Sequence, residues 1–284
     1  MRRKIKTHIA RTLAILGLII LAFAVFPEMP NAEDAWVSLG GVMLKSDNVE
    51  HRFNDSGMSI RGWSAGSYKL SSDSSTLYIN GLTFSSSDDG VGGIMSNHSL
   101  KIIATGTNTI NCPETGIYMY SLDSGSLTLS SGGSSKATVK VTSSNDTAIV
   151  TPDNCTITNV DLNATGDYSG ISIGKDLNMN SGSITASSLV LDAFNMSDGQ
   201  INVQNDIVAY QTSLISGGSV TAQGNASFYG LELQGGTVTT RGNLDFFDSF
   251  TQTGGTVQTD GDVIIRVGGY NGKDGVRVGR FYPL

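Results

Sequence analysis

The sequence is poor in several residue types, and each scarcity removes a class of protein. Two cysteines in 284 residues cannot build a disulfide scaffold or a Cys/His zinc site. Of three histidines, only His51 and His98 lie beyond residue 35, which leaves little for histidine-based acid–base chemistry. Five prolines argue against a Pro-rich linker. Charged residues make up 15% of the chain. The one long apolar run, "LAILGLIILAFAVF" (13–26), falls short of the roughly 20 residues a membrane-crossing helix needs. It follows "MRRKIKTHIAR" and precedes "PEMPNAEDA". A basic start, a short apolar centre and small residues after it read as a secretory signal over 1–35. An uncleaved anchor is the competing reading. Residues 1–32 hold five of the 18 Lys/Arg and one of the 25 Asp/Glu, so removing them leaves a net charge of −11. That balance disfavours nucleic acid and anionic membrane as partners.

What the chain has is glycine, 35 of them, and a repeat. "GGTVTTRGN" (235–243) returns as "GGTVQTDGD" (254–262). Counting from the motif glycines Gly182, Gly199, Gly218, Gly236 and Gly255, periods near 18–20 residues mark a solenoid. Ile184, Ile201, Val220, Val238 and Val257 follow at plus two, between hydroxyl and amide side chains. That alternation is a short half-buried strand. Leu177/Met179, Phe194/Met196 and Leu231/Leu233 form a second strand before the glycine, and Ile207/Ala209, Ala226/Phe228, Leu244/Phe246 and Val263/Ile265 a third after it. Three strands per period predict an all-β, right-handed, single-stranded parallel β-helix. The expected extents are a β preamble or N-terminal cap over 36–75, about ten coils over 76–268, and a C-terminal tail or cap over 269–284. The plus-seven row Asp206, Asn225, Asn243, Asp262 reads as a structural turn ladder rather than a calcium site, because its two carboxylates stand two coils apart. Cys112 and Cys155 fall at different corners and are expected as free, mostly buried thiols.

The stretches "WVSLGGVMLKSDN" (36–48), "SSTLYINGLTFS" (74–85) and "LKIIATGTNTI" (100–110), followed by the glycine-punctuated coils, resemble the secreted bacterial β-helix proteins described as carbohydrate-binding-domain-containing. The likeness spans about 36–265, and its most specific part is "GTNTI" with the coils after it. The irregular stretch between Ile117 and Ile149 departs from the pattern. The resemblance implies export and glycan binding but brings no set of binding residues with it.

Catalytic constellations are not legible. Beyond the signal segment the Asp residues are scattered over turns, "SDD" (87–89) reads as a turn, and "GGSSK" lacks the strand-to-helix elbow of a nucleophile motif. A β-helix lyase or hydrolase is therefore the second reading and a structural surface spacer the third. No cofactor or metal is expected. One row stands out at plus eleven: Tyr210, Tyr229, Phe247 and Arg266. Alternation turns it outward, beside Val208 and Ile264. An aromatic row stepping about 4.8 Å per coil suits a saccharide. The competing expectation is that the tail, through Val276, Val278, Phe281 and Tyr282, folds back and covers the row. Trp36 and Trp63 in the preamble are expected in the core, with a second sugar platform as the competing reading. The flat Thr/Ser/Asn/Gln stripe (183/185 through 256/258) also raises an ice-binding face, though only Thr237/Thr239 is a true T-x-T pair. The sequence thus points to an exported or cell-surface, non-catalytic, monomeric binding or adhesion protein. Its partner would be an extracellular glycan, held at the row. With no sorting motif after residue 268, surface attachment would be non-covalent or through the N-terminal segment.

Overall fold

The computed structural model describes residues 35–55, 59–120 and 125–266, with the backbone of three further strands, Tyr270–Gly272, Val276–Arg277 and Arg280–Pro283. The export segment expected over 1–35 lies outside these residues, Ala35 excepted. The described chain is all strand and turn, wound as a parallel β-helix of about eight turns.

Three faces repeat along the axis. Face A stacks Leu77, Ile102, Leu129, Ile157, Met179, Met196, Ile215, Leu233 and Gln252 in one register. Face B stacks Val139, Leu162, Ile184, Ile201, Val220, Val238 and Val257. Face C stacks Ile94, Ile117, Ile149, Ile171, Leu189, Ile207, Ala226, Leu244 and Val263. These columns are buried, because period-two alternation sends every second side chain inside. A single coil buries nothing alone, so stacking supplies the stability.

The early coils are longer than 18–20 residues. Ile102 pairs with Leu129 and Leu129 with Ile157, steps of 27 and 28, whereas Met196 to Ile215 is 19. The extra residues sit in corner loops such as the exposed Gly132–Lys136 segment. Eight turns therefore take the length that about ten short ones would.

At the N-terminal end, Trp63–Leu70 runs antiparallel to Thr76–Ser85, and Val37–Leu39 antiparallel to Ile94–Ser96. Antiparallel strands laid over the first rung occupy its free hydrogen-bonding edge and stop parallel growth there. Trp36 and Trp63 are buried. Trp63 packs near Tyr68, and Tyr68 stacks on His51 at 5.0 Å.

At the other end the tail does not fold back along its backbone. Tyr270–Gly272, Val276–Arg277 and Arg280–Pro283 pair in parallel with the last strand of each face, adding one more coil. Val278 lies outside the described residues. The expected cover over the aromatic row is corrected accordingly: the tail continues the winding because it keeps the period, Val257 meeting Val276 after 19 residues.

The repeated glycines have a steric cause. Gly218, Gly236 and Gly255 have φ of +77°, +77° and +70°, and a Cβ on Gly236 would lie 2.5 Å from the Gly218 carbonyl oxygen of the coil before. The Asp/Asn row is a hydrogen-bond ladder. Asp206 Oδ1 accepts from the Asn225 backbone N–H (2.7 Å), Asn225 Oδ1 from that of Asn243 (2.9 Å), and Asn243 Oδ1 from that of Asp262 (3.0 Å). Cys112 sits on face B and Cys155 on face A. Both are free and buried, and burial pushes both thiols up to about 12.

Candidate binding surface

The row lies where face C turns into face A. Three strands pass through this corner without a break: Ile207–Ile215, Ala226–Leu233 and Leu244–Gln252. Ala209, Phe228, Phe246 and Ile265 pair in register and point inward. The next residue along each strand must then point out. Tyr210, Tyr229 and Phe247 do, at 45%, 45% and 44% exposure. Beneath them the core is aromatic as well. Phe228 and Phe246 stand 6.0 Å apart, and Phe246 stacks on Phe250 at 4.4 Å and 2°. The outer rings thus rest on a corner stiffened from inside.

The corner absorbs one residue of length variation. Phe228 reaches Gly230 through Tyr229 alone, whereas its neighbours insert Gln211 and Asp248, leaving a register shift at each. The rings keep a common register because it is set on the face C side. Val208 and Ile264 flank the row half-buried.

Arg266 ends the row. Its guanidinium lies over the Phe247 ring, 5.1 Å from the centroid, and Nη2 donates to Asp245 Oδ1 at 3.1 Å. Burial holds the Asp245 carboxyl above its ordinary value, with Arg266 pulling the other way. The side chain expected as a ligand contact is thus engaged within the protein, as a clamp on the last ring.

One residue of this column escaped the sequence reasoning. Leu191 pairs with Ala209, so Asp192 occupies, one coil earlier, the position of Tyr210. Counting eleven from Gly182 lands on Ala193 instead, because that coil is one residue shorter. Register taken from the apolar pair Leu189/Leu191 would have found it. The column therefore reads Asp192, Tyr210, Tyr229, Phe247, Arg266. Asp192 is half-buried. Burial raises its carboxyl above the ordinary value, and nearby Asp176 adds to this.

A second concavity lies in the preamble, about 440 Å³ and open, lined by Glu50, Arg52, Phe53, Ala65, Gly66, Ser67 and Asn80. Its charged groups are already paired. Glu50 accepts from Ser67 Oγ at 2.7 Å and from Arg52 Nη2 at 3.2 Å. "SDD" is a bend and turn, with Asp88 paired to Arg61 at 2.8 Å. Among the described residues no three His, Cys, Asp or Glu side chains converge to hold a metal ion.

The fold and this corner define the class as a parallel β-helix bearing an exposed aromatic column. No protein-family profile, curated protein or solved structure matches the chain.

Proposed function

We propose that this chain is an exported or cell-surface, non-catalytic binding protein whose ligand is an extracellular saccharide. The observation that carries this reading is the column of three exposed rings on consecutive coils. Large apolar surface usually goes inside, and three ordered rings in one line on a winding of buried aliphatics favour a partner. The coil step of about 4.8 Å is close to the length of a pyranose unit. Ring faces offer sugars an apolar platform with defined geometry. The basic-then-apolar start of the sequence supports export.

The test is a glycan array probed with residues 36–284 beside the Tyr210→Ala/Tyr229→Ala variant. Two rings at about 1 kcal/mol each predict a Kd raised about 30-fold, with an unchanged far-UV circular dichroism spectrum. Undiminished binding by the variant would remove the column as the site. No binding by either protein would favour a structural spacer.

A further inference from the structure

The column is chemically polar along its length, and this bears on which saccharide it takes; the inference rests on the platform reading above. Its C-terminal end carries a guanidinium already neutralised by Asp245 and stacked on Phe247. Its N-terminal end carries a carboxylate. Asp192 follows directly below Tyr210 in register, and its backbone is fixed on both sides, the N–H donating to the Lys175 carbonyl at 2.9 Å and the carbonyl accepting from Gln211 at 2.7 Å. Lys175, whose backbone carbonyl takes that N–H, turns its Nζ to Asp153 at 2.9 Å. Asp176, whose neighbour across the ladder is Ala193, already accepts from Asn195 at 3.1 Å. Asp248 adds a further acidic side chain in the corner bulge three coils on from Asp192. Acidic side chains thus border the rings, and the end beyond Tyr210 carries a carboxylate at Asp192.

We propose that Asp192 is a specificity-determining residue that receives the ammonium group of an amino sugar whose ring, or whose neighbour's ring, stacks on Tyr210. The column would then select basic oligosaccharides, such as de-N-acetylated hexosamine chains, over neutral ones and reject uronate-bearing ones. An ammonium donates up to three hydrogen bonds, and a charge-assisted bond to a half-buried carboxylate is about twice as strong as a neutral one. An N-acetyl group at the same place brings an amide with one donor and no charge. A uronate brings like charge onto Asp192.

The experiment measures Kd by calorimetry for three probes: a glucosamine tetramer, its fully N-acetylated counterpart, and an oligogalacturonate of the same length. Each is titrated into the wild-type protein, Asp192→Asn, and Tyr210→Ala/Tyr229→Ala. The expected result is a preference of about tenfold or more for the glucosamine tetramer over the N-acetylated one, abolished in Asp192→Asn. That variant should keep the wild-type affinity for the N-acetylated tetramer, which also shows that its corner remains folded. Equal wild-type affinities for the two hexosamine chains, or a preference that survives Asp192→Asn, would overturn the proposal while leaving the platform standing. Binding of all three probes unchanged in the double-ring variant would overturn the platform itself, and with it this inference. Tightest binding of the galacturonate would overturn the assigned polarity.

Discussion

At the scale of single residues, the motif glycines are tightly constrained positions. Gly236 combines a φ of +77° with a backbone oxygen 2.5 Å from where a Cβ would stand. Neither the left-handed backbone nor the close carbonyl can give way without moving a coil, so Gly236→Ala should cost about 2 kcal/mol or more. Gly133, in the exposed loop, has nothing within 4 Å of an added Cβ. Gly133→Ala should stay within about 0.5 kcal/mol of the parent. Urea denaturation of the pair checks both values, and equal midpoints would mean that the stacked turns relax far more readily than their geometry indicates. The repeat was visible in the sequence for the same steric reason: where coils touch through backbone alone, only glycine fits, and the letters recur. Arg266 was visible as a register position but not as a clamp, because its partner Asp245 lies 21 residues back on the preceding coil and nothing in the spacing says which charges meet. Asp192 was missed because glycine-based counting assumes equal coils.

At the scale of the coil, tolerance to length is local. The corner after Phe228 already exists in two lengths, with one residue at Tyr229 and two at Tyr210–Gln211 and Phe247–Asp248. Inserting one Gln after Tyr229 should therefore cost less than about 1 kcal/mol, since the added residue takes a bulge that its neighbours already make. The same Gln inserted between Asn225 and Ala226 should be far worse. It detaches the ladder contact of Asn225 from the strand it starts and turns Ala226 and Phe228 to the wrong face. Loss of a cooperative thermal transition, or a fall of several kcal/mol, is expected there. Comparable melts for the two insertions would show that register in these coils is set elsewhere. The same principle explains which coils could be read from the sequence. From Gly182 onward the corners are tight and the period holds within a residue or two. Upstream, exposed loops such as 132–136 lengthen the coil without changing its strands, so strand content was legible there but coil length was not.

At the scale of the whole molecule, two sets of carboxylates are shifted in opposite directions, and the difference shapes how stability depends on pH. Asp47 is held low chiefly by its hydrogen bond to His51, Asp153 by Lys175, and Asp73 is brought to about 2 by the Ser71 hydroxyl and the Ser75 groups. Groups with lowered values favour the fold above the ordinary Asp value of about 3.9 and lose that contribution as pH falls through their folded values. Asp192 and Asp245 run the other way, raised by burial. Between about 3.9 and their raised values the native state binds protons that the unfolded chain does not, so stability grows as pH falls through that window. Protonation also relieves the self-repulsion of an acidic protein. Thermal melts should therefore show Tm rising as pH falls from neutrality towards the ordinary Asp value of about 3.9, followed by a decline at lower pH as the lowered group protonates. Asp192→Asn removes one of the two raised groups without adding charge. In that variant the gain on acidification towards about pH 3.9 should shrink, and the decline at lower pH should remain. A gain of the same size in Asp192→Asn would assign the whole acid stabilisation to Asp245 and net charge, and would show that the corner of the aromatic column keeps Asp192 better solvated than its burial implies.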